Sequence, residues 1–341
     1  MSFASGRKLG LLNFLRAVKC APNRQKPLVR KPRDRHSMTQ NPIDFETRFP
    51  PERDARPVRV SPLTRRLVAP NGGPFTYTGT CAYIVGAGEV AIVDPGPKSA
   101  AHVEALLEAV AGERLAAILV THTHRDHAPA AALLRDRTGA PIVGCAPYRA
   151  AERRNIEGPA LDAAHDANYA PDRVLEDGET LAVGGATLQA VATPGHTANH
   201  LCFALMEEQT LFTGDHVMAW ATTVIAPPDG SMRAYMRSVE KLLARDDRLY
   251  WPAHGGPIAD PRPFLRALLL HRRQREASIL RRLEAGDATI PSIVDKIYAG
   301  VDKRLHAAAA MVVLAHLEDL VERGEAAAPE GLGLFARYAR V

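Results

Sequence analysis

From about residue 61 the chain falls into short apolar runs separated by glycine-bearing turns, and the spacing of the runs predicts the elements. Residues 80–85 and 89–93 are β-rich runs joined by Gly86-Ala87-Gly88, the pattern of a hairpin. Ser99 precedes Val103, Leu106, Leu107 and Val110, a helical spacing with a capping residue at its start. Residues 115–120 form an unbroken apolar run, as in a strand buried on both faces. A helix over 128–134 and a strand over 141–145 follow. After a looser section, 180–183 and 187–191 turn at Gly184-Gly185, and 201–205 pairs with 210–212. Met232, Tyr235, Met236, Val239, Leu242 and Leu243 line one face of a long helix. This order of hairpins and helices predicts two packed sheets with helices outside.

The last eighty residues read differently. A helix is expected over 263–283, with Leu265, Leu268, Leu269, Ile279, Leu280 and Leu283 on a face that must be buried against the preceding part of the chain, a satellite or another subunit. Apolar segments at 290–298, 306–309 and 311–321 follow, Gly324 stops the last helix, and 334–341 has the pattern of a short strand. Three short helices and a small β element predict a compact helical or winged-helix satellite.

Composition narrows the class. Hydrophobic residues make up 46% and charged residues 24% of 341 residues, ordinary for a globular protein, and no apolar run approaches the length of a membrane span. The four cysteines have no paired spacing, which fits a reducing compartment: the cytoplasm, or an organelle matrix if the source is eukaryotic. Residues 1–37 hold ten Lys or Arg against one acid, so the whole-chain charge of +5 leaves the remainder at −4. That segment reads as a disordered basic tail, a transit peptide or sequence ahead of a start at Met38, and the mildly acidic body argues against nucleic-acid binding by overall charge.

The chemistry is concentrated at strand ends. Thr121-His122-Thr123-His124-Arg125-Asp126-His127 follows directly on the buried run at 115–120. Alternate residues of an extended chain point the same way, so His122 and His124 can face one metal, while Asp126 and His127 can reach a second. Three histidines and a carboxylate beside an apolar core are costly without a partner that satisfies them. A solvated loop is the competing reading, but three more segments repeat the arrangement. Thr193-Pro194-Gly195-His196, Thr213-Gly214-Asp215-His216 and Pro252-Ala253-His254-Gly255-Gly256 each put a His or Asp on a glycine-bearing turn just past an apolar run.

This ordered set resembles the metallo-β-lactamase superfamily over residues 60–260. The resemblance implies an α/β fold, an αββα sandwich of two mixed β-sheets flanked by helices. It implies that His122, His124 and His196 bind a first metal, that Asp126, His127 and His254 bind a second, and that Asp215 bridges both. Two Zn2+ per chain are expected from the imidazole-rich set, with iron or manganese as alternatives. Antibiotic-hydrolysing members often carry Cys where Asp215 stands, so antibiotic hydrolysis is not expected; the glyoxalase II and RNA-processing branches carry the acid. Asp94 is expected either to support the ligand shell or only to end its strand. His200 is expected to support the shell, to assist a leaving group or to be structural, and His216 to point away. His102, His165, His271, His306 and His316 are assigned to surfaces or satellite helices.

Gly255-Gly256-Pro257, His271-Arg272-Arg273-Gln274-Arg275-Glu276 and Ala315-His316-Leu317-Glu318-Asp319-Leu320 resemble a narrower branch, that of lactamase-like protein 2, which includes a single-strand endoribonuclease and carries a C-terminal winged-helix-like domain. The expected layout is a tail (1–37), a catalytic domain (38–260) and a winged-helix-like domain (261–341). The expected activity is hydrolysis by a metal-bridging hydroxide, with Asp126 or Asp215 relaying a proton. Single-stranded RNA is one substrate, favoured by the basic residues Arg272, Arg273 and Arg275; a small thioester, ester or lactone is the alternative. A binding module with a vestigial metal site is a third reading, opposed by the intact ligand set. No membrane partner is expected, and the C-terminal part either covers the mouth of the site or makes a homodimer contact.

Overall fold

In a computed structural model of the chain, residues 56–149 and 164–341 are described. The basic tail 1–37 and the expected domain start at residue 38 lie outside the described residues.

The first sheet holds β1 (Val58–Arg59), β2 (Thr64–Val68), β3 (Cys81–Ala87), β4 (Glu89–Val93), β5 (Arg114–Val120), β6 (Ile142–Gly144) and β7 (Arg173–Val174), in that spatial order. β1 to β4 pair antiparallel, whereas β4 to β7 pair parallel. The parallel pairs need crossovers. α1 (Ala100–Ala109) and α2 (Ala130–Thr138) supply the first two. The second sheet runs β13-β12-β11-β10-β9-β8, from β8 (Thr180–Val183), β9 (Ala186–Ala192), β10 (Leu201–Leu205), β11 (Thr210–Gly214), β12 (Leu249–Pro252) and β13 (Ile258–Ala259). Only β11 and β12 are parallel there. Both sheets are thus mixed, and helices flank them.

Alternation along β10 explains why it is apolar throughout. Leu201, Phe203 and Leu205 enter the core between the sheets, while Cys202 and Ala204 face a second core under the helices. Tyr83 ties the sheets together: its ring lies 4.9 Å from Phe212, and its hydroxyl donates to Pro252 O at 2.6 Å. The second core is closed by α3 (Met232–Leu243), through Met232, Tyr235, Val239 and Leu242, and by α4 (Pro261–Glu284), through Leu265, Leu268 and Leu269. Ile279 and Leu283, further along α4, join a third core with α5 (Ile290–Ile297) and α6 (His306–Glu322). The apolar face of the linking helix is therefore covered by its own chain on both sides. β14 (Ala326–Ala327) and β15 (Ala339–Arg340) close the C-terminal region as an antiparallel pair.

Some expectations need correcting. α2 begins two residues later and ends four residues later than read, where Gly139 takes a left-handed φ of 73°. Segments 306–309 and 311–321 form one helix, since Ala310 between them is a strong helix former. His102 and His165 are not on surfaces: each is only 3% exposed. Among the described residues, no helix is long and apolar enough to cross a membrane.

Candidate metal centre

The strand directions bring five loops to one end of the sandwich. β4 ends before Asp94, β5 before His122, β9 before His196, β11 before Asp215 and β12 before His254. Ligand atoms of His122, His124, His196 and Asp215 all lie within 4.8 Å of one another, as do those of Asp126, His127, Asp215 and His254. Asp215 belongs to both groups. Its Oδ2 is 3.6 Å from His196 Nε2, and its Oδ1 is 3.3 Å from His254 Nε2 and 3.6 Å from His127 Nε2. His124 Nδ1 stands 3.0 Å from His122 Nε2 and 3.1 Å from His196 Nε2. His254 Nε2 is 3.2 Å from Asp126 Oδ2.

These spacings fit a cation. Metal–ligand bonds of about 2.0 Å in a tetrahedron place neighbouring donors roughly 3.3 Å apart. His127 Nε2, His254 Nε2 and Asp215 Oδ1 are buried without a hydrogen-bond partner, a costly state for groups that converge on one point. Burial and the neighbouring rings hold His122 and His124 well below the usual histidine range, and burial likewise lowers His196, so these rings are neutral donors. Burial opposes charge on Asp126 and Asp215, yet His127 and His254 hold both carboxyls well below their usual range. Burial opposes charge on His127 and His254 as well, but Asp126 and Asp215 outweigh it and raise both rings in return. These two rings must therefore shed a proton when a cation binds, since neutral imidazoles and ionised carboxylates are the forms that bind a divalent metal.

The other ring nitrogens of His122, His127, His196 and His254 are anchored, which fixes their tautomers. His127 Nδ1 donates to Asp94 Oδ2 at 3.0 Å, His196 Nδ1 to Val224 O at 2.7 Å and His254 Nδ1 to Gly79 O at 3.3 Å. His122 Nδ1 donates to Thr121 Oγ1, whose hydroxyl donates to Asp94. Asp94 also accepts from Thr121 N at 2.8 Å and is 2% exposed, so it does more than end a strand. His200 stands outside both groups: Thr193 Oγ1 holds its Nδ1, and its Nε2 accepts from Asp215 N at 3.3 Å. His216 turns away towards Tyr235, their rings 4.7 Å apart. Gly195, at φ 145°, lets the His196 turn press on α3, because a Cβ there would stand 2.3 Å from Tyr235 Cα.

Sequence reasoning missed four supports. His165 stacks on Tyr148 at 3.7 Å, bonds Thr123 Oγ1 at 2.8 Å and lies 3.4 Å from Asp229 Oδ2, backing the His124 turn. Val224 and Gly79 act through carbonyl oxygens, which every residue has and no motif marks. Arg272, read as part of a basic face, is 2% exposed and donates to Thr223 O at 2.6 Å. Its position was legible: residue 272 falls on the same helical stripe as Leu265, Leu268, Leu269 and Ile279.

Two mixed sheets under helices, with paired His/Asp groups at one end, define a metal-dependent hydrolase. The chain belongs to the metallo-beta-lactamase superfamily, whose family model matches residues 75–254, and the beta-lactamase associated winged helix domain matches residues 289–331. It is 30% identical to the atrochrysone carboxyl ACP thioesterase of Aspergillus chevalieri, over 75% of this chain and 79% of that protein. It is also 30% identical to the beta-lactamase-like protein 2 homolog of Caenorhabditis elegans, over 71% of this chain and 78% of that protein, which agrees with the narrower branch resemblance. The structure of a metallo-beta-lactamase family protein from Thermus thermophilus superposes with a TM-score of 0.64 at 25% identity, covering 83% of this chain and 100% of that one.

Proposed function

We propose that this chain hydrolyses an acyl thioester at a dinuclear metal centre held by His122, His124, His196, Asp126, His127, His254 and the shared Asp215. Zinc is the ion that the imidazole-rich set favours. When bound, two such ions lower the pKa of water from 15.7 towards about 7 and polarise the acyl carbonyl. Asp215 holds the two groups at one spacing through its two oxygens. Asp126, with its side chain 28% exposed, is the carboxylate of the second group most open to solvent and can relay a proton from the attacking water to the departing sulfur. Water adds to the carbonyl carbon, the C–S bond breaks, and the thiol leaves with that proton.

The observation that carries this reading over RNA cleavage is the direction of the linking-helix arginines. Arg272 is buried on Thr223 O, Arg275 lies 4.3 Å over the Tyr298 ring, and Arg273 pairs with Glu240 at 3.3 Å. A basic face for phosphates was the main residue-level support for RNA, and two of its three members point inward. The thioesterase relatives add weight to the acyl reading. Zinc-loaded protein tested side by side on acyl thioesters, with free thiol as readout, and on single-stranded RNA decides the matter. Thiol release without RNA cleavage is expected; RNA cleavage without thiol release overturns the proposal.

A further inference from the structure

Arg272 is a buried cation on α4, outside the segment that carries the seven ligands. Among the described residues no carboxylate pairs with it, and its Nε has no hydrogen-bond partner. A guanidinium held this way is expensive unless its contacts do something specific. It makes two. Its Nη2 donates to Thr223 O at 2.6 Å, and its Cζ lies 5.0 Å over the ring of Tyr235.

Both contacts lead to His196. The residue after Thr223 is Val224, whose carbonyl accepts from His196 Nδ1 at 2.7 Å and so directs Nε2 to the first ligand group. Thr223 Oγ1 donates back to Asp215 O at 2.7 Å, which closes the 215–224 loop on itself. Tyr235 is the residue against which Gly195, the neighbour of His196, packs without room for a Cβ. One side chain therefore fixes the acceptor of the His196 ring and lies against the residue that backs its turn. We infer that Arg272 is a positioning residue that sets the His196 ring, so that the first metal group depends on the linking helix. The inference rests on the dinuclear reading above.

The test uses the full chain and zinc, with affinity read by competition against a chromogenic chelator. The parent is measured first; a parent that takes up no zinc defeats the dinuclear reading itself. The His254→Gln background leaves the first group to be titrated, and the His196→Gln background leaves the second. Adding Arg272→Met should weaken zinc about 10–100-fold in the His254→Gln background, the usual effect of losing an outer support of a ligand, and less than about threefold in the other. Equal losses in both backgrounds, or a lower melting temperature with unchanged affinity, overturn the inference. Should Arg272→Met not fold, Arg272→Lys keeps the charge and the apolar stem. Its ammonium ends roughly one bond short of the Nη2 position and gives one point donor in place of a fork. A loss confined to the His254→Gln background is expected again, and full affinity there overturns the inference.

Discussion

Replacing Asp94 with Asn tests whether the second ligand group depends on a carboxylate that touches no metal site directly. Asp94 Oδ1 accepts from Thr121 N at 2.8 Å, and Oδ2 accepts from Thr121 Oγ1 at 2.8 Å and His127 Nδ1 at 3.0 Å. Asn keeps the shape and tolerates the left-handed φ of 50° at this position. Its one oxygen can serve Thr121 N, but its NH2 then faces His127 Nδ1. The His127 proton must move to Nε2, the atom 3.5 Å from Asp126 Oδ2 and 3.6 Å from Asp215 Oδ1. A cation must displace that proton. Losing a hydrogen bond to a charged group costs about 1.5–3 kcal/mol. At about 1.4 kcal/mol per tenfold this weakens metal binding by the second group roughly 10–100-fold. Chelator competition reads the affinity, and urea denaturation of the metal-free protein should show a loss of about 1–3 kcal/mol for the mispaired buried donor. Asp94→Ala orphans the Thr121 and His127 donors together and should lose more. An Asp94→Asn protein that keeps two tight metals and the parent's midpoint would refute the reasoning.

Asp215→Ala should fold yet lose most activity, because among the described residues no other side chain belongs to both groups; full turnover with both metals bound would show that it is not the shared ligand. Gly195→Ala should cost about 3 kcal/mol or more in urea denaturation, since the residue has φ 145° and its Cβ would meet α3 backbone at 2.3 Å; a change under about 0.5 kcal/mol would contradict the packing. His102 gives a pH signature. Burial lowers its pKa from 6.5 to about 4, so the unfolded chain binds the extra proton between those values. Its contribution to stability is full above pH 6.5 and falls with pH until about pH 4, by about 3 kcal/mol in all. His102→Phe should flatten the parent's stability profile in that window, and an unchanged slope would refute the assignment.

The two His/Asp groups were legible because their residues are local. Their segments follow apolar runs that form buried strands, and parallel pairing of β4 with β5 and of β11 with β12 brings those ends together. The first core was equally plain, since β3, β4 and β5 have no alternative to burial on both faces. His165 was harder. Nothing near His165 in sequence says that Tyr148 will stack on it, and that side chain comes from the far side of a long connection. Arg272 shows a different limit. Periodicity places it on the buried stripe of α4, but a cation there reads as an exception until Thr223 O and the Tyr235 ring supply its partners. Likewise Asp94 was ambiguous because a turn acid and a histidine's acceptor look alike before Thr121 and His127 are folded onto it.

The strand polarity that gathers five loops at one end leaves the opposite end to plain turns: Gly88 after β3, residues 110–113 before β5, Gly184-Gly185 before β9 and residues 206–209 before β11. That end is a natural handle. Met206 is 48% exposed there, whereas the described cysteines, Cys81, Cys145 and Cys202, are buried. A thiol introduced as Met206→Cys could be coupled to a bead or an electrode, and the immobilised enzyme would stand with its reactive end facing the solution.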